Sequence, residues 1–122
     1  MARTPYFLVS SVDLTANGTG DITIRTDANE TIRIKYLAFN STGSFEIFDW
    51  EDSRGNSYTN ATPDNSITSD LIPLQTAHIN HYIELPEELV VEPASVMTIS
   101  VKDTSGAANK VYFFAVGTRE LK

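Results

Sequence analysis

The chain has no cysteine. Disulfide staples, thiolate metal sites and cysteine nucleophiles are therefore excluded. Positive charge is scarce too: 9 Lys+Arg stand against 16 Asp+Glu, for a formal charge of −7 and a pI near 4.6. Such a chain is repelled by a polyphosphate backbone and by an anionic lipid surface, so neither nucleic acid nor membrane is expected as a partner. No apolar run approaches the roughly 18 residues that a membrane-spanning helix needs. Apolar residues stand in a row only at positions 6–9 of the opening Met-Ala-Arg-Thr-Pro-Tyr-Phe-Leu-Val-Ser-Ser, with no small-residue cleavage site behind them. The start is expected to be a strand rather than a secretory signal, and assembly in a reducing cytoplasm is the expectation.

Catalytic signatures are equally sparse. There is no Gly-x-Ser-x-Gly elbow, Walker loop or dinucleotide fingerprint. The two histidines, His78 and His81, stand three apart, which on a strand puts them on opposite faces and denies them a shared metal. Asp49, Glu51, Asp52 and Asp64 are the nearest approach to a cation site, but they lack the alternating Asp-x-Asp-x-Asp-Gly ligand spacing. The expectation is a non-enzyme with no metal and no cofactor. Four Asn-x-Ser/Thr triplets, at Asn17, Asn29, Asn40 and Asn60, all fall in expected turns, where these residue types belong for backbone reasons.

What is present is strand signal. A hydrophobic fraction of 41% and a charged fraction of 20% suit one globular core, and 122 residues suit one domain, with positions 1–5 as a short N-terminal arm. Residues 6–14 form a first extended run, closed by the turn chemistry of 15–20. Residues 21–26 alternate, with Ile22 and Ile24 inward against Thr23 and Arg25. Along 31–39 strict alternation places Ile32, Ile34, Tyr36 and Ala38 on one face, while the other changes from Arg33 and Lys35 to Leu37 and Phe39. Residues 44–50 are rich in aromatic and β-branched types, and 51–66 read as a long polar loop with a short hairpin near 56–60. Two less regular strands are expected over 67–74 and 77–85, then a connection over 86–95 that crosses between sheets. Met97, Ile99 and Val101 alternate with Thr98, Ser100 and Lys102. About eight short strands separated by turns indicate an antiparallel two-sheet β-sandwich of jelly-roll type.

The last expected strand, 110–118, departs from that alternation. Val111-Tyr112-Phe113-Phe114-Ala115-Val116 is apolar on both faces, whereas a strand with one wet face should alternate. One face lines the core; the other needs a loop, the N-terminal arm or another subunit to cover it. Trp50, Tyr58 and Tyr82 could stack on a sugar ring, the first two flanking the polar loop, or Trp50 could instead close one end of the core.

In size, strand order and texture the chain resembles the small β-sandwich virion proteins of tailed bacteriophages, of the capsid cement or decoration type. The likeness rests on three stretches. The first is Ala2-Arg3-Thr4-Pro5 leading into a strand. The second is Thr31-Ile32-Arg33-Ile34-Lys35-Tyr36 followed by Phe45-Glu46-Ile47-Phe48-Asp49. The third is Val96 to Thr104, a turn, then Val111 to Gly117. The resemblance implies a structural role on the outer capsid surface, with copies assembling as homotrimers and clamping the major capsid protein. The implied contact residues are Arg3, Thr4, Pro5, Tyr6, Tyr112, Phe114 and Val116. The competing expectation is a carbohydrate- or receptor-binding module that uses Trp50 and Tyr58.

Overall fold

The computed structural model describes residues 3–71 and 82–122. The strands are β1 (Arg3–Leu14), β2 (Thr19–Arg25), β3 (Glu30–Ser41), β4 (Phe45–Asp52), β5 (Ile67–Thr68), β6 (Ile83–Val91), β7 (Val96–Asp103) and β8 (Asn109–Leu121), with one 3-10 turn at Ser69–Leu71. They form two four-stranded antiparallel sheets in the orders β1-β8-β3-β6 and β2-β7-β4-β5. This is jelly-roll connectivity: apart from the β4–β5 pair, successive strands change sheet, and the last strand returns beside the first. The expected all-β sandwich is therefore the observed fold. Among the described residues no helix is long and apolar enough to cross a membrane.

The core lies between the sheets. Ile22 and Ile24 of β2, Met97, Ile99 and Val101 of β7, and Phe45 and Ile47 of β4 meet Ile34, Leu37 and Phe39 of β3 and Val111 and Phe113 of β8. The Phe39 ring lies tilted against Phe113 and Phe45, with centroids 5.3 Å and 6.2 Å away, so three fully buried aromatics supply the centre of the core. At one end the inward-facing Arg119 donates to the buried Glu30 carboxylate at 2.6 Å and lies over the Tyr6 ring, tying β8 to β3 and β1 within one sheet.

Two bulges decide which residues face that core. In β3 the register slips between Ile34 and Tyr36, so Leu37 and Phe39 follow Ile32 and Ile34 inward while Tyr36 and Ala38 turn to the outer face. Strict alternation had assigned these pairs the other way. The burial of Phe39 against Phe45 and Phe113 outweighs regular pairing, and Lys35 is the extra residue that absorbs the change. In β4 the slip falls between Ile47 and Asp49; it brings Trp50 opposite Ile99, on the core side, instead of leaving it outside.

Several boundaries differ from the sequence reading. Arg3, Thr4 and Pro5 are not an arm: they are the first residues of β1 and pair with Glu120, Arg119 and Thr118. The final strand correspondingly runs on to Leu121. The stretch 86–91, expected in a crossing connection, belongs to β6, and only 92–95 crosses between sheets. There Pro86 is accommodated because β6 is an edge strand: Glu84 pairs with Tyr36 and Leu89 with Ile34, so the residues between them bulge away from the ladder. Of the strand expected over 67–74, β5 occupies two residues before the 3-10 turn; positions 72–81 lie outside the described residues.

Candidate partner-binding face

The outward faces of the two sheets are unlike. On β2-β7-β4 the outer face carries Asp21, Thr23 and Arg25 beside Thr98, Ser100 and Lys102, with the Ser100 hydroxyl donating to Asp21 at 2.9 Å. That is an ordinary solvated surface. On β1-β8-β3 the outer face carries cross-strand rows of apolar residues instead. Val9, Phe114 and Ala38 form one row; Phe7, Val116 and Tyr36 form the next; Ser11, Tyr112 and Asn40 bound it on one side.

Phe7 stacks on Phe114 at 6.5 Å, yet Phe7 and Val9 remain 68% and 69% exposed. Tyr36, Tyr82 and Tyr112 are also exposed. Taking roughly 200 Å² for a large side chain, the open apolar patch is on the order of 500 Å², near the upper limit for a monomer and of the size that marks interaction sites. The small Ala38 among aromatics leaves a depression of about 460 Å³ walled by Asn40, Tyr82, Tyr112 and Phe114. A second hollow of about 330 Å³ lies between Phe7, Tyr36, Tyr82 and Val116. Polar groups rim the patch: Arg3 and Glu120 at one end, 4.0 Å apart, and Lys110 over the Tyr112 ring at the other.

Of the residues expected to meet a partner, Tyr112, Phe114 and Val116 are brought together here. Arg3 and Pro5 lie at the start of β1 on the outer side, beside the patch, whereas Thr4 shares the inward row of Arg119. Tyr6 is not on this face; it points inward beneath Arg119. Sequence reasoning missed Phe7, Val9 and Tyr36, and it named Tyr82 only as an aromatic that could stack on a sugar. For Phe7 and Val9 the signal was present, because Tyr6-Phe7-Leu8-Val9 is apolar on both faces just as 111–116 is. For Tyr36 it was hidden by the β3 bulge.

Trp50 and Tyr58 also come together, ring centroids 6.5 Å apart, beside a groove of about 250 Å³ shared with Leu85 and Leu89. Trp50 meets Phe39 and Phe113 edge-on, each at 6.1 Å, so much of the indole belongs to the core. Its N–H is buried without a hydrogen-bond partner among the described residues. The Tyr58 hydroxyl donates to Asp52 at 2.9 Å.

Asp52 organises its loop, accepting from the Asn56 side chain and from the backbone N–H groups of Asn56 and Arg54. Burial raises the Asp52 carboxyl, but these bonds outweigh it and hold the group down at about 2. Burial and the adjacent Asp52 charge push the Tyr58 phenol up to about 12. Removing the phenol hydroxyl in Tyr58→Phe should let the Asp52 carboxyl rise toward its ordinary 3.8, as followed by NMR. The stability cost should stay below about 1 kcal/mol, because the loop is largely solvated. An unmoved Asp52 titration would mean that the contact does not persist in solution.

Of the expected acidic group, Asp49 accepts from the Trp50 N–H and Asp52 stitches its loop, and with Glu51 and Asp64 they form no metal-ligand cluster among the described residues. His78 and His81 lie outside the described residues. No protein-family model matches the chain, and no curated protein matches it significantly in sequence.

Proposed function

We propose that this chain is a non-catalytic structural protein of a bacteriophage virion. It sits on the outer capsid surface and stabilises the shell by bridging neighbouring capsid subunits. The observation that carries the reading is the unequal pair of outer faces: one polar, the other an aromatic patch rimmed by charge on a rigid sheet. An open apolar face held by strands suits docking against another protein, whereas its hollows are open to solvent and bring together no cluster of titratable groups for chemistry. Two further points support the setting. Jelly rolls recur among viral shell proteins, an association at the level of fold, and the three stretches of sequence likeness point the same way. A clamp that binds only the assembled shell shifts the assembly equilibrium toward it by mass action.

The experiment is gradient sedimentation after co-expression with the major capsid protein encoded in the same genome. The parent chain should travel with the shells. Tyr36→Asp combined with Tyr112→Asp should lower the bound fraction at least roughly tenfold, since truncated aromatic anchors dominate interface energetics. Both side chains are exposed, so the melting temperature should change by no more than a few degrees. A parent chain that stays at the top of the gradient, or a variant that binds as well as the parent, would sink the reading.

The sugar-binding alternative draws on the Trp50–Tyr58 groove. It is the weaker reading because the indole is packed into the core and the phenol is held by Asp52.

A further inference from the structure

We infer that β1 is a pairing edge through which two copies of the chain join, antiparallel, with Arg3 of each copy opposite Asp13 of the other. This does not depend on what the apolar face binds.

The two sheets present four edge strands, β1, β6, β2 and β5, and three of them are blunted. The β6 edge carries Pro86, Glu84, Glu87 and Glu88 and bulges. The β2 edge is seven residues long and holds Gly20, Asp21 and Arg25, and β5 is two residues long. Proline, charge, bulging and shortness are the ordinary devices by which a sheet edge avoids pairing with another chain. The β1 edge lacks them over its middle. β1 runs for twelve residues, pairs with β8 on one side and, among the described residues, with no strand on the other. Its stretch Tyr6-Phe7-Leu8-Val9-Ser10-Ser11-Val12 has no charge, proline or glycine, the composition that most readily accepts another strand. An open groove of about 380 Å³ runs beside it, lined by residues 6–10 of β1 and 23–25 of β2.

The occupant follows from symmetry in the strand itself. Arg3 and Asp13 are equidistant from Leu8, and both lie on the outer-face side of β1 with Phe7 and Val9. An antiparallel pair centred on Leu8 sets each Arg3 against the second copy's Asp13 and each Phe7 against the second copy's Val9. Opposite charges meet at both ends and exposed apolar side chains meet between them. A shift of one residue would set outer side chains against inner ones, and a shift of two would separate the charges. Neither charge is firmly held within its own chain. Arg3 reaches Glu120 only at 4.0 Å, and Asp13 lies opposite Lys110 but forms no ion pair among the described residues, the Lys110 ammonium resting over Tyr112. The pair would make one continuous eight-stranded sheet and merge two apolar faces into a single surface.

Light scattering during size-exclusion chromatography of the whole chain tests this without a capsid. The parent should elute at twice the 13.5 kDa chain mass. Arg3→Asp alone and Asp13→Arg alone should each weaken the pair roughly tenfold by setting like charges opposite each other, and the double reversal should recover most of that loss. Val9→Lys, at an exposed edge position, should give a folded monomer, with folding checked by circular dichroism. A parent that is monomeric, or trimeric as the sequence likeness implies, would overturn the pairing. Single reversals that behave as the parent does, or a double reversal that recovers nothing, would overturn this register. A parent chain that is dimeric yet stays at the top of the gradient, apart from the shells, would count against the capsid reading alone.

Discussion

Replacing Gly117 by alanine is expected to lower the melting temperature by roughly 10 °C, a cost of about 3 kcal/mol from forced overpacking. A Cβ at this position would stand 1.7 Å from the Arg33 carbonyl oxygen, 2.7 Å from its carbon and 2.9 Å from the Ile34 Cα. All three are backbone atoms, so no rotamer change relieves the clash; β3 itself would have to move off β8. The close approach lies where β3 bulges, since Gly117 pairs with Ile34 immediately before the slip to Tyr36. Glycine is thus needed for the space rather than for an unusual φ. Because the same bulge sends Phe39 inward and Tyr36 outward, the variant should lose part of its face as well as its stability. Thermal unfolding followed by circular dichroism is the check, and a shift below about 2 °C would refute the argument.

The second large effect is expected at Asp103, the last residue of β7. Its carboxylate is fully buried and accepts five hydrogen bonds: from the backbone N–H groups of Asn17, Ser105 and Gly106, the Ser105 hydroxyl and the Asn109 side-chain amide. Asn109 extends the network by donating to the Ser44 carbonyl and accepting from Gly43 and Thr42. One buried carboxylate therefore ties together the three turns at this end of the sandwich, residues 15–18, 42–44 and 104–108. Asp103→Ala leaves buried donors without acceptors, so its melting temperature should fall by more than roughly 10 °C. An effect within a few degrees would show that water replaces the carboxylate without loss.

Asp103 also sets a pH dependence. Donation from Ser105, then from the Asn17 and Ser105 backbone and from Asn109, outweighs desolvation and holds this carboxyl well below its ordinary 3.8. A carboxyl depressed on folding contributes stability above its unfolded value and loses it as pH falls through the folded one. The parent should therefore weaken progressively below about pH 4. Asp103→Asn, which cannot titrate, should start less stable at neutral pH and show a shallower acid limb. An acid limb as steep as the parent's would place the loss elsewhere. Asp52 acts in the same direction, though its exposed loop makes its share small.

The legible parts of this fold are the strands with one wet face. Ile22 and Ile24, and Met97, Ile99 and Val101, alternate with polar neighbours because β2 and β7 each meet the core on one side and water on the other. The two-faced strand 111–116 was legible as an anomaly: its inner residues Val111, Phe113 and Ala115 are buried, and its outer residues lie on the patch. The extent of that patch was not legible. Phe7 and Val9 come from the opposite end of the chain, and only the pairing of β1 with β8 sets them beside Phe114 and Val116. Nor was the length of β1, since Arg3 to Pro5 carry no strand signal of their own and are extended because β8 continues alongside them.

Period and turn chemistry by themselves determined the class: short alternating runs between turns leave an antiparallel sandwich as the way to bury these residues. Tertiary structure decided which way the ambiguous residues face. Alternation is a local rule, and a bulge breaks it at a cost recovered elsewhere, through contacts far away in sequence. At Lys35 the recovery is the packing of Phe39 on Phe45 and Phe113; beyond Ile47 it is the seating of Trp50 against Phe39 and Phe113. The core thereby takes Trp50 in and sends Tyr36 out.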